Sequence, residues 1–151
     1  MDRIDKILNH DLFLYHLGRN NAAEADRRFC RHSMVHFLDV ARIGTIIALE
    51  EGLKIDREWI YAAALLHDCG KHEQYENGIP HEQASARIAP EILKACGFND
   101  EETGVIVTAI SRHRDPEAGR EKNLNGILRQ AVPALRAMRR RIATGKTARR
   151  T

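Results

Sequence analysis

The chain has 151 residues, of which 43% are hydrophobic, 5% aromatic and 30% charged. This length is enough for one domain with a buried core, and the mix of aliphatic residues with only four prolines favours an all-α fold. No apolar run approaches the ~20 residues that cross a bilayer, and the charged first ten residues argue against a secretory signal. Three cysteines without a pairing motif are typical of a reduced, cytoplasmic setting.

Positive charge is concentrated at the C-terminal end. Residues 123–151 contain eight of the 24 Lys and Arg residues and none of the 21 Asp and Glu residues. We therefore predict a helical domain over residues 1–122 and a distinct basic helix and tail over residues 123–151. Basic tails can bind nucleic acid or anionic membranes, but a solvated helix end is the more frequent meaning, so we expect neither partner.

Three helices are predicted in the N-terminal third. The first ends at Gly18, and the second begins near Asn21 and continues past the segment RRFCRH. The third follows Ser33 and ends at Gly52, because glycine is favoured just after a helix C-terminus.

Two further helices are predicted in the middle of the chain. Asp56 is a suitable N-cap for the segment REWIYAAALLHD, and Gly70 ends that helix. The segment YENGIP contains Asn-Gly and a proline, which predicts a loop. The segment HEQASARIAPEILKACG then predicts a helix in which Pro90 marks a kink or a new start.

The last predicted elements complete an all-α fold. Asn99 and Glu102 have the spacing of a capping box at the start of the next helix. The polar connection DPEAGREKNLNG leads to a final helix over residues 124–142. Strand-like alternation is not found, so we predict a single bundle of about six to seven helices.

His67 and Asp68 follow directly after the apolar segment from Ile60 to Leu66. An imidazole beside a carboxylate suits a divalent-metal site, because neutral His binds transition metals and Asp adds negative charge. Two ligands are too few, so other elements must supply more. The further candidates all lie in or near predicted helices: His32, His36, His81, His113 and Asp115.

A longer pattern surrounds this pair. A His is followed four and five residues later by Val-Ala, and a second helix ends in His-Asp and then Gly-Lys, 31 residues after the first His. The positions are His36, Val40-Ala41, His67-Asp68 and Gly70-Lys71. This pattern resembles the core of the HD-domain superfamily of metal-dependent phosphohydrolases, over roughly residues 28–113.

The resemblance implies a helical fold that brings His36, His67 and Asp68 to one cavity. It also implies a second metal position at His81 and His113, as in members similar to the symmetrical dinucleoside tetraphosphate hydrolases. We therefore expect one or two divalent ions per chain. Iron or manganese is the leading choice, and zinc, nickel, cobalt and magnesium stay open.

The resemblance further implies that Asp68 and Lys71 are catalytic. Asp68 would bridge two metals, a metal-bound hydroxide would attack phosphorus, and Lys71 would hold a phosphoryl oxygen or the leaving group. The expected substrate is a small phosphate ester or anhydride, a nucleotide above all. A homodimer is left open.

The predicted last helix departs from the family pattern. Where an Ala-Asp pair is expected, the chain has Ala131-Val132, and no Asp or Glu follows Glu121. Pro133 is expected to break or kink this helix. The alternative function is therefore a metal-binding sensor or regulatory module with weak or no turnover. An oxygenase on the same scaffold is a third reading without distinctive support.

Other polar residues receive simpler interpretations. Three histidines are expected at the surface or at helix ends: His10, His16 and His72. Asp115 is expected to be a turn residue before Pro116. Three arginines form either a solvated helix face or a phosphate contact: Arg27, Arg28 and Arg31.

Overall fold

The computed structural model describes residues 1–25 and 33–145. These residues form eight α-helices and one 3-10 helix, without a strand in the described ranges, and the predicted all-α fold is confirmed. The elements are α1 (Asp2–Leu8), α2 (Asp11–Ala23), α3 (Met34–Glu50), α4 (Arg57–Leu66), α5 (Lys71–Asn77), α6 (His81–Ala95), α7 (Asp100–Ser111), the 3-10 helix (Pro116–Arg120) and α8 (Leu124–Ala143). Among them, none is both long and apolar enough to cross a bilayer.

Two predicted N-caps are confirmed. The Asp56 carboxylate accepts a hydrogen bond from the Glu58 amide at 2.8 Å and begins α4. Asn99 and Glu102 form the capping box at the start of α7, each side chain accepting from the other residue's amide. Caps of this kind satisfy amides that have no partner inside the helix, so local sequence sets these two boundaries.

The N-terminal segment forms two helices where one was expected up to Gly18. α1 ends at Leu8, and His10 begins α2 with its Nδ1 atom accepting from the Leu12 amide at 3.2 Å. Histidine is not among the favoured N-cap residues, so this break carries little sequence signal. Asn21 belongs to the end of α2 and does not begin a helix. The segment RRFCRH lies outside the described residues.

The boundary between α4 and α5 also differs from the prediction. α4 ends at Leu66, a turn covers residues 67–70, and α5 begins at Lys71. Residues 75–77, predicted to be loop, are the last residues of α5. The chain leaves α5 through Gly78, whose φ of 69° lies in the left-handed region where glycine has no Cβ penalty.

Pro90 lies inside α6 and Pro133 lies inside α8, and both helices continue beyond their proline. α8 therefore does not break at Pro133 and covers the predicted range of 124–142. A proline in a helix interior costs about 3 kcal/mol. Leu128 and Leu135 are buried on either side of Pro133, and burial of such side chains offsets a cost of that size.

α4 lies at the centre of the fold. Ile60 and residues 62–66 are buried, and the helix packs against α1, α3, α7 and α8. A helix that is apolar on nearly all sides belongs inside a protein. Because α4 ends in the interior, the two residues that follow it are buried as well: His67 is 0% exposed and Asp68 is 2% exposed.

Candidate metal centre

Gly70 holds the turn after α4 close against α6. A Cβ atom at this position would lie 2.7 Å from the Ser85 amide nitrogen and 2.8 Å from the Cβ of Ala84. The Gly70 amide donates a hydrogen bond to Ser85 Oγ at 2.9 Å. A larger residue would push α6 away, so glycine fixes the His67–Asp68 turn against the helix that begins with His81.

Asp68 lies between two pairs of histidines. Its Oδ2 atom is 3.1 Å from His67 Nε2 and 3.9 Å from His36 Nε2. Its Oδ1 atom is 3.3 Å from His81 Nε2 and 3.6 Å from His113 Nε2. Asp68 thus belongs to two groups of three residues, one with His36 and His67 and the other with His81 and His113. In each group the potential ligand atoms lie within 4.8 Å of one another, and all members are buried. One carboxylate can therefore serve two neighbouring cation positions.

Backbone carbonyls fix the tautomer of two of these rings. His67 Nδ1 lies 2.6 Å from the Ala64 oxygen, and His113 Nδ1 lies 2.6 Å from the Ile110 oxygen. A carbonyl oxygen only accepts, so Nδ1 carries the proton in both neutral rings and Nε2 keeps its lone pair. This arrangement is the usual one for histidines that bind a metal through Nε2.

Gln74 fixes the third ring. Its Oε1 atom accepts from the backbone amide of His81 at 3.0 Å and lies 2.7 Å from His81 Nδ1. The backbone amide of His81 can only donate, so the Gln74 atom that it contacts is the side-chain oxygen. His81 Nδ1 must therefore donate to this oxygen as well. Lys71 Nζ lies 3.3 Å from the same ring nitrogen, which has no lone pair to offer it.

The pair His81 and His113 is arranged so that a cation could lie between its rings. The two Nε2 atoms are 3.1 Å apart, and both carry a lone pair in the tautomers derived above. Burial lowers the pKa of His81 to about 3 and that of His113 to about 4, so neither ring supplies a proton at neutral pH. Nitrogen and carboxylate donors with facing lone pairs fit a divalent transition metal.

Lys71 lies at the first position of α5, beside this pair. Burial lowers the pKa of its ammonium group, Asp68 raises it, and Arg114 and Arg136 lower it further. Its Nζ atom lies 5.7 Å from the centre of the Tyr75 ring. Arg114 and Arg136 therefore add positive charge near Lys71, where Asp68 and Glu24 contribute negative charge.

The structure brings all five predicted ligands together from α3, the α4–α5 turn, α6 and the end of α7. Asp115 is elsewhere: it caps the 3-10 helix by accepting from the Glu117 amide at 3.0 Å and pairs with Arg112. His32 and the three arginines Arg27, Arg28 and Arg31 lie outside the described residues.

His16 differs from its predicted placement, and His72 lies near a helix end as predicted but is not at the surface. His16 and His72 are buried, at 9% and 1% exposure, and His16 Nδ1 is 2.8 Å from His72 Nε2. The packing of α2 against α5 brings the two rings together. A single His among polar residues in the sequence does not indicate such burial. His10 is at a helix end, as predicted. Gln74 and Asn20 were missed altogether, because neither belongs to a metal-ligand pattern.

Comparisons with known proteins agree with this geometry. Residues 34–143 match the family model described as the HD domain, beyond the expected 28–113 and through α8. An uncharacterized protein from Clostridium beijerinckii is 50% identical over 118 residues, which cover 78% of this chain and 75% of that protein.

A solved structure is similar as well. The crystal structure of a predicted HD superfamily hydrolase from an uncultured Thermotogales bacterium has a TM-score of 0.61 at 26% identity. The similarity covers 80% of this chain and 66% of that one, slightly less than two thirds of its length. The family match includes every helix that carries a candidate ligand, and the chain belongs to the HD-domain family.

Proposed function

We propose that this protein is a metal-dependent phosphohydrolase that acts on a nucleotide or a related phosphate ester or anhydride. The proposal rests on the buried Asp68 carboxylate, whose two oxygens face two separate pairs of histidines. The solved relative is named a predicted HD superfamily hydrolase, which supports the same class of reaction. A cytoplasmic location and a homodimer remain predictions.

We infer that His36 and His67 hold one ion and that His81 and His113 hold a second. Asp68 is shared between them. Imidazole and carboxylate suit several first-row metals, and iron or manganese is the proposed occupant. When bound, such ions supply Lewis-acid chemistry and activate water for attack on phosphorus.

Lys71 is the residue proposed to bind the phosphate. His81 donates its Nδ1 proton to Gln74, so the ammonium group of Lys71 gains no acceptor from that ring. Arg114 and Arg136 act on Lys71 electrostatically and add positive potential at the same place. A substrate with several phosphate oxygens suits this charge. Lys71 would stabilise negative charge on a phosphoryl oxygen or on the leaving group.

The test begins with metal analysis of the purified protein, followed by a panel of nucleotides with manganese or iron. We expect Asp68→Ala and His67→Ala to lose bound metal and phosphate release while keeping their helical content. Asp39→Ala is the control, because this carboxylate lies on α3 near His36 but pairs with Arg42 and Arg139. Full metal occupancy in either site variant would contradict the proposal.

A regulatory module that binds metal without turnover is the second candidate. Ala131-Val132 stand where the resemblance leads us to expect Ala-Asp, and no acidic residue follows Glu121. The two candidates differ in one measurement. The module would bind metal through Asp68 and release no phosphate from any nucleotide, whereas an enzyme would release phosphate and lose that activity in Asp68→Ala.

A further inference from the structure

Asn20 joins α2 to the turn that carries Asp68. Its side chain is 0% exposed, and both ends of its amide are used. The Nδ2 atom donates to the backbone oxygen of Asp68 at 3.0 Å, and the Oδ1 atom accepts from the backbone amide of His72 at 2.9 Å. The side-chain amide of Asn20 therefore joins the second residue of the turn, Asp68, to the start of α5 at His72. α2 lies outside the residues that match the family model.

The residues between these two contacts are important for the site. Gly70 ends the turn and Lys71 begins α5, and the Lys71 backbone amide donates to the same Asp68 oxygen at 3.0 Å. A carbonyl that accepts from two donors is fixed in direction. The Asp68 side chain leaves the backbone next to this fixed peptide group, and the Lys71 backbone amide is held by its oxygen. A change in the position of Asn20 would therefore shift both Asp68 and Lys71.

Asn20 is the middle member of a polar row on α2. His16, one turn earlier, contacts His72 through ring nitrogens 2.8 Å apart, and the two rings stack. Glu24, one turn later, accepts from the Tyr75 hydroxyl at 3.1 Å. Residues four apart share one face of a helix. Hydrogen bonds depend on direction, so this row sets the position of α5 along α2 more strictly than apolar packing would.

We propose that Asn20 is a positioning residue, which holds the α4–α5 turn so that Asp68 faces both histidine pairs and Lys71 faces the substrate. This inference rests on the proposed metal-binding function. It assigns to α2 a part in forming the site, although α2 supplies no ligand.

The test compares Asn20→Leu and Asn20→Asp with the native protein. Leucine removes both hydrogen bonds, and aspartate keeps only the acceptor for the His72 amide. We expect Mn²⁺ to bind roughly tenfold more weakly or worse in Asn20→Leu, the size of effect seen when partners of metal ligands are removed. The visible spectrum of the Co²⁺-loaded protein should change as well. Asn20→Asp, which keeps the acceptor for the His72 amide, should lie between the native protein and Asn20→Leu.

Phe13→Leu is the matched control, since Phe13 is a fully buried apolar residue on the same helix. It should lower the free energy of unfolding and leave the Mn²⁺ affinity and the Co²⁺ spectrum unchanged. If Asn20→Leu binds Mn²⁺ within twofold of the native protein, or if Phe13→Leu loses as much affinity, the positioning role is wrong.

Amide hydrogen exchange separates this inference from the proposed function. The His72 amide should be protected in the native protein without metal, exchange much faster in Asn20→Leu and stay protected in Phe13→Leu. If the native protein bound no metal, the proposed function would fail. Exchange at His72 would then decide the positioning role: unchanged protection in Asn20→Leu would overturn it.

Discussion

Three imidazoles of the site are oriented before any metal arrives. His67, His81 and His113 each donate through Nδ1 to an oxygen of the protein, so their Nε2 atoms point toward Asp68. A site whose rings are already held requires little reorganisation on binding. Removing one imidazole should therefore weaken one metal position and leave the other position unchanged.

We expect His113→Ala to lower the metal content from two ions per chain toward one. The substitution removes one of three ligands from the Asp68, His81 and His113 group and leaves the other group intact. Metal analysis after equilibrium dialysis gives the ratio. Asp115→Asn serves as the control, because it keeps an acceptor for the 3-10 helix cap and should not change the ratio. A single ion in both the native protein and His113→Ala would contradict two sites.

The candidate ligand residues could be predicted from sequence, but the residues that orient them could not. His36, His67 and Asp68 lie in a spaced pattern that resembles a known family. Asn20 contacts the backbone groups of Asp68 and His72, which any residue type would supply. The identities of its partners therefore do not indicate its role in the sequence. The spacing of His16, Asn20 and Glu24 on one helix face was the available signal, and only the position of α5 gives it meaning.

Among the helices, α8 has the predicted range of about 124–142, although it contains a proline. It passes Pro133 without ending, and Val132 is 5% exposed. Arg136, one turn later, lies close enough to affect Lys71. Predictions based on local signals succeeded where a cap or turn residue dominates, as at Asp56 and Asn99. They were wrong where the local signal is weak, as in the division between α1 and α2.

Val132→Asp should strengthen metal binding. A carboxylate there would restore the acidic residue that the family pattern places in this helix, and a tenfold gain in affinity corresponds to about 1.4 kcal/mol. Without metal, the same buried carboxylate should destabilise the protein, because a buried charge is costly when unpaired. Titration with Mn²⁺ and denaturant unfolding with and without metal measure the two effects.

Leu128→Asp is the matched control for this variant, because Leu128 lies one turn earlier on α8 and is 3% exposed. It should show the loss of stability without a gain in Mn²⁺ affinity. Equal affinity in Val132→Asp and the native protein would mean that α8 does not direct this residue at the metals.

For the whole molecule, stability is tied to pH through the buried contact between α2 and α5. Burial, with a further contribution from His72, lowers the pKa of His16 from 6.5 to about 4. The unfolded chain therefore takes up a proton near pH 6.5 that the folded chain accepts only near pH 4. The stability that neutral His16 provides is complete above about pH 6.5 and is lost as the pH falls toward 4.

We expect His16→Gln to reduce this loss. Glutamine retains a hydrogen-bonding group near His72 but does not titrate, so the free energy of unfolding should fall less steeply between pH 6.5 and 4. One proton accounts for about 1.4 kcal/mol per pH unit at most. Urea unfolding of the metal-free proteins at several pH values gives both slopes. If the free energy of unfolding depends on pH equally in the native protein and in His16→Gln, His16 does not contribute to the pH dependence.

The dispersal of the proposed ligands along the chain has a consequence for assembly. His36, His67, His81 and His113 come from four different parts of the chain and meet only when α3, α4, α6 and α7 have all docked. A partly folded chain presents an incomplete ligand set and holds an ion weakly, because a preformed site rarely exists in an unfolded chain. Under the proposed function, the amount of metal retained would measure the fraction of molecules that are fully folded. Metal present during synthesis would stabilise the folded state relative to partly folded ones.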